Sequence, residues 1–158
     1  MDEKQIKRDR LRFTKNSLSS GLTYLAILFN VLYFVNIYRS DVGNYYYTWL
    51  TGVSIIYNLL FLLTAFLCSE GVKRYHLGYS VTLLVLGALQ FARIFVIPKK
   101  AAETMINVGG VEEAVMSGAQ HTLVVTFLLV SGGLCIIAGV TGIIKSCQLK
   151  SCEAHVTH

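Results

Sequence analysis

Charged residues are scarce in this sequence. Only 15% of its 158 residues are Asp, Glu, Lys or Arg, whereas 54% are hydrophobic. A soluble domain of average composition has about 25% charged residues, so this chain is too apolar for an ordinary soluble fold. The four longest apolar stretches contain no Asp or Glu at all. This absence disfavours a proton-coupled carrier that depends on a carboxylate inside the membrane.

Motifs of catalysis and nucleotide binding are also missing. The chain has no His-Glu-x-x-His pattern, no Gly-x-Ser-x-Gly pattern, no phosphate-binding loop and no dinucleotide fingerprint. We therefore expect neither an enzyme nor a bound cofactor. Basic residues crowd into the first fifteen positions without a helical basic face or an aromatic platform, so nucleic-acid binding is not expected either.

The four apolar stretches have the length of membrane-spanning helices, which is about twenty residues for a hydrocarbon core of about 30 Å. Backbone groups in lipid must bond within their own segment, so each stretch should be helical. The sequence predicts an all-α integral membrane four-helix bundle in residues 18–144, between a basic arm at 1–17 and a tail at 145–158. The predicted spans are 18–38, 45–68, 77–97 and 122–144, with an outer loop at 98–121.

The distribution of Lys and Arg predicts the orientation. Ten of these residues lie in the arm, in the loop after the second span and in the tail, whereas Arg39, Lys99 and Lys100 lie on the opposite side. Basic residues in short loops favour the cytoplasmic side. Both termini are therefore expected in the cytoplasm, with the arm on the anionic lipids of the inner leaflet. The length and the short loops suit the plasma membrane of a bacterium.

The outer loop has a weak helical pattern. Val111, Ala114, Val115 and Gly118 recur at helical spacing, which favours a short interfacial helix. A plain connecting loop is the alternative.

Several polar side chains fall inside the predicted spans. Asn30 and Asn58 lie near the centres of the first and second spans, and Gln90 lies a little outward of the centre of the third. Because an unbonded polar group in hydrocarbon is costly, these residues should meet. They either bond the helices together or line a path for a polar substrate or ion. The predicted intramembrane polar cluster consists of Asn30, Thr51, Ser54, Asn58, Gln90 and Arg93.

Arg93 is the only formal charge well inside a predicted span. A long basic side chain at that position is expected to extend outward to the interface, where it could pair with Asp41 or Glu103. The alternative is an outward-facing contact with an anion or a lipid headgroup.

The fourth span is rich in small residues at helical spacing. Ser131, Cys135 and Gly139 are four residues apart, and Ala138 and Gly142 lie close by. Small side chains let two helix backbones approach, so this helix should pack closely on a neighbour. The neighbour is either another helix of the same chain or a second subunit.

The tail contains four residues of metal-ligating types, Cys147, Cys152, His155 and His158. Their spacing does not match the paired ligands of a usual zinc site, so we expect no metal and an unstructured tail, with metal binding as the alternative. No Cys-x-x-Cys pair is present, and no disulfide is expected.

Two functions remain compatible with these features. The first is an accessory or scaffold subunit that packs against a protein partner in a larger membrane complex. The second is a small homo-oligomeric transporter or channel in which the polar cluster lines the path.

Overall fold

The computed structural model describes residues 15–39, 48–108, 110–114 and 116–154, and five residues of the basic arm, Glu3, Gln5, Ile6, Asp9 and Arg10. From residue 15 onward, the described residues form four helices, then a two-stranded hairpin, then a fifth helix. The helices are α1 (Ser17–Arg39), α2 (Thr48–Lys73), α3 (Leu77–Ile94), α4 (Ile97–Glu103) and α5 (Gly118–Ala154). The strands are β1 (Met105–Val108) and β2 (Val111–Ala114).

Four helical segments are long and apolar enough to cross a membrane, which confirms the expected class of helical membrane protein. Large apolar side chains such as Leu59, Leu63 and Val85 are exposed on the outer faces of the helices, where lipid would contact them. The four segments are Ser17–Ile37, Gly52–Lys73, Leu77–Glu103 and Gly118–Ser151.

The long helices form a closed ring in the order α1, α2, α3, α5. Each helix packs on the next, and α5 closes the ring against α1. The contacts of α5 with α3 and with α1 are the most extensive, and those between α2 and α3 are the least extensive. The α2–α3 seam is therefore the loosest side of the bundle.

The start of α1, the α2–α3 turn and the last part of α5 meet at one end of the bundle. The Ser19 and Thr141 hydroxyl oxygens are 2.7 Å apart, and the Ser146 hydroxyl donates to the Tyr75 carbonyl at 2.8 Å. The backbone N–H of Asn16 donates to the Lys73 carbonyl at 3.3 Å. We call this the basic end of the bundle, since Lys15, Lys73, Arg74 and Lys145 lie in these segments.

The segment between α3 and α5 forms a short helix and a hairpin. Pro98 stands in the first turn of α4, where its missing N–H has no helical partner to lose. Strands β1 and β2 pair antiparallel with Val108 opposite Val111, and Gly110 in the turn has φ of +93°. Glycine adopts a positive φ without strain because it has no Cβ, so the chain reverses here and does not continue as a helix. The predicted interfacial helix is wrong for residues 111–114, which form β2, and Val115 lies outside the described residues.

The expectation of an unstructured tail is wrong as far as Ala154, because α5 continues without interruption to that residue. Its 37 residues extend for about 55 Å at about 1.5 Å per residue, well beyond a hydrocarbon core of about 30 Å. Lys, Gln, Leu, Glu and Ala in this part are strong helix formers. The Ser146 hydroxyl also fixes the helix to the α2–α3 turn.

Two apolar clusters lie one above the other in the bundle. The cluster nearer the basic end is built around Phe61, Leu83 and Cys135, and the one nearer the opposite end around Tyr33, Val124 and Leu128. On α1, Asn30 lies between residues of the two clusters, and Ser131 does so on α5. A polar layer therefore separates two apolar layers.

Candidate functional site

The polar layer contains buried side chains from all four long helices. None of its members is more than 6% exposed. We call it the central polar cluster, and its members are Asn30, Ser54, Asn58, Gln90, Arg93 and Ser131.

The neutral members bond the helices to one another. Gln90 Nε2 on α3 donates to Asn30 Oδ1 on α1 at 2.8 Å and to Ser131 Oγ on α5 at 3.3 Å. Asn30 Nδ2 donates to Asn58 Oδ1 on α2 at 3.4 Å. The Ser131 hydroxyl also donates to the Ala26 carbonyl of α1 at 2.9 Å. These bonds connect α1 to each of the other three long helices.

Arg93 lies inside this network. Its Nη1 donates to Asn58 Oδ1 at 2.8 Å and to Asn30 Oδ1 at 3.4 Å, and its Nη2 donates to Ser54 Oγ at 3.3 Å. The guanidinium carbon lies 4.3 Å from the Tyr33 ring centre and 4.9 Å from the Tyr57 ring centre. The side chain is thus held by amide oxygens, a hydroxyl and two aromatic faces.

The expectation that Arg93 extends outward to the interface is wrong, because only 6% of the residue is exposed and its guanidinium bonds toward the bundle centre. Insertion scales give a cost of about 2.5–3.5 kcal/mol for a basic side chain at the centre of a membrane-spanning helix, which is an upper value for Arg93 because it lies one residue before the end of α3. Hydrogen bonds to charged groups contribute about 1.5–3 kcal/mol each, which is enough to offset that cost. Glu103 pairs with Lys99 at 3.9 Å, and Asp41 lies outside the described residues.

Three residues that contact the cluster or belong to it were absent from the polar cluster expected from the sequence. Tyr33 and Tyr57 cover the guanidinium, and Ser131, which sequence analysis assigned to helix packing, bonds to Gln90. Tyr33 follows Asn30 by three residues and therefore shares its helix face, a spacing that could have identified it. The side chain of Thr51, also expected in the cluster, lies outside the described residues.

The small residues of α5 pack on α3 of the same chain. A Cβ added to Gly139 would lie 2.8 Å from the Ser80 carbonyl oxygen, and one on Gly142 would clash with Ser80 Oγ. Cys135 and Ala138 are fully buried in the cluster near the basic end. The close neighbour of this helix is therefore α3.

A cavity of about 240 Å³ opens between α2 and α3, and we call it the lateral cavity. Arg93 and Ser54 of the central polar cluster line it together with Tyr57 and apolar side chains. The Tyr57 hydroxyl is buried and has no hydrogen-bond partner among the residues that the structure describes. The remaining lining residues are Val53, Leu89, Ala92, Val96 and Ile97.

The Cys and His residues of the tail are only partly described. Cys147 is exposed, the side chain of Cys152 lies outside the described part, and so do His155 and His158. In the part of the chain that the structure describes, no three His, Cys, Asp or Glu residues group to hold a metal ion. Metal binding by the tail therefore stays an untested alternative.

No family model, curated protein or solved structure matches this chain. Its class is defined by the fold alone, as a membrane bundle of four long helices around a central polar cluster.

Proposed function

We propose that this protein is an accessory or scaffold subunit of a larger membrane complex. The observation that carries the proposal is the closed interior of the bundle. The polar side chains expected to line a path bond to one another across the four helices instead. A protein with such an interior acts through its outer surfaces.

The apolar layers support the same proposal. A water-filled route along the bundle axis would have to cross the cluster around Phe61 and the cluster around Leu128, and the side chains of both clusters are buried. Hydrophobic layers of this kind exclude water and ions. The bundle therefore favours a structural role over conduction by a single chain.

The basic end offers the surface for a partner outside the hydrocarbon. Beyond Ser146, which bonds to the α2–α3 turn, α5 continues for about two turns to Ala154. Cys147, Gln148, Lys150 and Ser151 are exposed on this extension. The excess of basic residues at this end favours the cytoplasmic side of a plasma membrane, which we propose to be bacterial.

The test is affinity purification of the full chain from its native membrane in mild detergent. We expect a particle heavier than one chain, with co-purifying proteins identified by mass spectrometry. A variant truncated after Ser146 keeps the last bond to the turn and is expected to lose those proteins. A single species with the mass of one chain and no companion protein would contradict the proposal.

A second candidate function is a small homo-oligomeric transporter or channel. The observation that favours it is Arg93, a cation held inside the membrane region beside a cavity. Under this candidate, Asn58→Ala or Gln90→Ala alters flux in reconstituted vesicles while the amount of folded protein is unchanged. Equal losses of flux and folded protein identify the cluster as a helix-bonding device only.

A further inference from the structure

The lateral cavity has an almost wholly apolar surface. Arg93, Ser54 and Tyr57 contribute to its lining, but both Nη atoms of Arg93 and the Ser54 hydroxyl are hydrogen-bonded inside the central polar cluster. The Tyr57 hydroxyl is buried. The cavity therefore favours a hydrocarbon ligand over one with a charged or hydrogen-bonding head.

The cavity opens on the outer side of the bundle. Val53 on α2 and Leu89 on α3, which line it, are 56% and 44% exposed on the outer faces of their helices. In a membrane these faces contact hydrocarbon, and α2 and α3 form the loosest seam of the bundle. A ligand therefore enters sideways from the bilayer, whose interior consists of acyl chains.

The level of the cavity corresponds to one leaflet. Leu89 lies next to the middle of the apolar segment Leu77–Glu103, and Ile97 lies six residues before its end. Val53 lies near the start of the apolar segment Gly52–Lys73, at the same end of the bundle. The cavity thus extends from the middle of the hydrocarbon toward the end that carries α4. Acyl chains of the leaflet at that end occupy this range of depth.

The cavity is long and narrow. From Leu89 to Ile97 the chain advances eight residues, about 12 Å at the helical rise of about 1.5 Å per residue. The volume of about 240 Å³ then corresponds to a mean cross-section of about 20 Å². A second helix, about 10–12 Å across, is too wide to enter. One extended hydrocarbon chain is narrow enough.

We propose that the lateral cavity binds one acyl chain of a phospholipid from the leaflet at the α4 end. A chain in the cavity contacts both α2 and α3, whereas a chain on an outer face contacts one helix, so the bound chain gains more van der Waals contacts. It also fills an apolar space that water does not stabilise. The phospholipid should therefore stay with the protein when the surrounding lipid exchanges, and it should stabilise the α2–α3 seam. The proposal does not depend on the accessory function, since it concerns a different surface.

The first test compares two phospholipids that share a head and differ in the width of their chains. The full chain is purified in detergent, and the binding of dimyristoyl phosphatidylcholine and of diphytanoyl phosphatidylcholine is measured by native mass spectrometry. Methyl branches make the phytanoyl chain too wide for the cavity. We expect the straight-chain lipid to bind at least about tenfold more tightly. Equal binding of the two lipids overturns the proposal, and so does the absence of saturable binding.

The second test fills the cavity without changing the central polar cluster. Ala92→Leu places a larger side chain in the cavity lining and is expected to weaken the binding of dimyristoyl phosphatidylcholine by at least about tenfold. Ala88→Leu is the matched control, because Ala88 is exposed on the same helix one turn away and does not line the cavity. The lipid should raise the temperature of thermal unfolding of the control but not of Ala92→Leu. Unchanged binding in a folded Ala92→Leu variant overturns the proposal.

A variant on α2 repeats the test from the other wall of the cavity. Val53→Phe changes a side chain that is mostly exposed, so this variant is expected to fold and to weaken lipid binding as Ala92→Leu does. Ile56→Phe is its control, because Ile56 is exposed on the same helix and does not line the cavity. Equal affinities of the two α2 variants for the lipid overturn the proposal.

Discussion

The two sides of α3 are held in opposite ways. On the side that faces α5, glycine brings the helices together, since a Cβ on Gly87 would lie 2.9 Å from the Gly132 carbonyl oxygen. On the side that faces α2, the helices stand further apart around the lateral cavity, and Arg93 reaches across to Ser54 and Asn58.

This difference shows two ways of joining helices where the hydrophobic effect gives no attraction between them. In lipid, association depends on close van der Waals packing or on hydrogen bonds between helices. Close packing needs small residues at every approach, and it leaves no space for a ligand. Hydrogen bonds made by a long side chain can span a gap, and they leave a cavity beside it.

The largest expected loss of stability comes from removing hydrogen bonds between α3 and α2. Asn58→Ala removes an acceptor of Arg93 and of Asn30, and the guanidinium stays buried. We expect the free energy of unfolding in detergent to fall by about 2–3 kcal/mol, the range for losing hydrogen bonds to a charged group. Titration with a denaturing detergent measures it.

Asn36→Ala is the control for that variant. The Asn36 side chain bonds to the Leu32 carbonyl of its own helix and joins no two helices through that bond. The free energy of unfolding of the Asn36→Ala variant should therefore change little. Equal losses in the two variants would mean that the central polar cluster adds nothing beyond local helix contacts.

A smaller loss of stability is expected from adding a methyl group to the close contact between α3 and α5. Gly139→Ala puts a methyl group 2.8 Å from the Ser80 carbonyl oxygen, so α3 and α5 must separate. Overpacking of this kind costs about 1–3 kcal/mol. Gly133→Ala, in the same helix, meets nothing within 4 Å and should be neutral or stabilising by up to about 1 kcal/mol. Thermal unfolding distinguishes them, and a stable Gly139→Ala variant would show that the seam is not tight.

The smallest expected loss of stability lies at the basic end, where the Ser146 hydroxyl of α5 bonds to the α2–α3 turn. Ser146→Ala removes the donor to the Tyr75 carbonyl. Interhelical bonds of this kind in membranes average about 0.6 kcal/mol. We expect faster hydrogen exchange in the turn with little change in overall stability. Ser151→Ala, at an exposed position, is the control and should leave that exchange unchanged.

The level of each polar residue along its helix could be predicted from the sequence. The direction in which each helix face points could not. Counting residues along apolar stretches placed Asn30, Asn58 and Gln90 at similar levels, and their side chains do bond in the structure. The direction of Arg93 depends on which helix faces it and on the acceptors there. That arrangement arises from packing between helices, for which a single sequence carries no periodic signal.

Two segments next to the long apolar stretches also show where local sequence patterns succeed and fail. Periodicity alone favoured a helix at residues 111–114, but Gly110 adopts a positive φ and the chain folds back into β2. Propensity would have extended α5 beyond residue 144, since its Lys, Gln, Leu and Ala residues favour helix. The lateral cavity depends on the spacing of two helices and was not predictable.

The position of Arg93 in the chain has a consequence for biosynthesis. Its described hydrogen-bond acceptors, Asn30, Ser54 and Asn58, all belong to α1 and α2, which are synthesised before α3. When α3 leaves the insertion machinery, the oxygens that receive its cation are already in the bilayer. The order of synthesis thus lets the third helix enter with its arginine, and Gln90 can bond to Asn30 at that stage and to Ser131 only after α5 has been inserted.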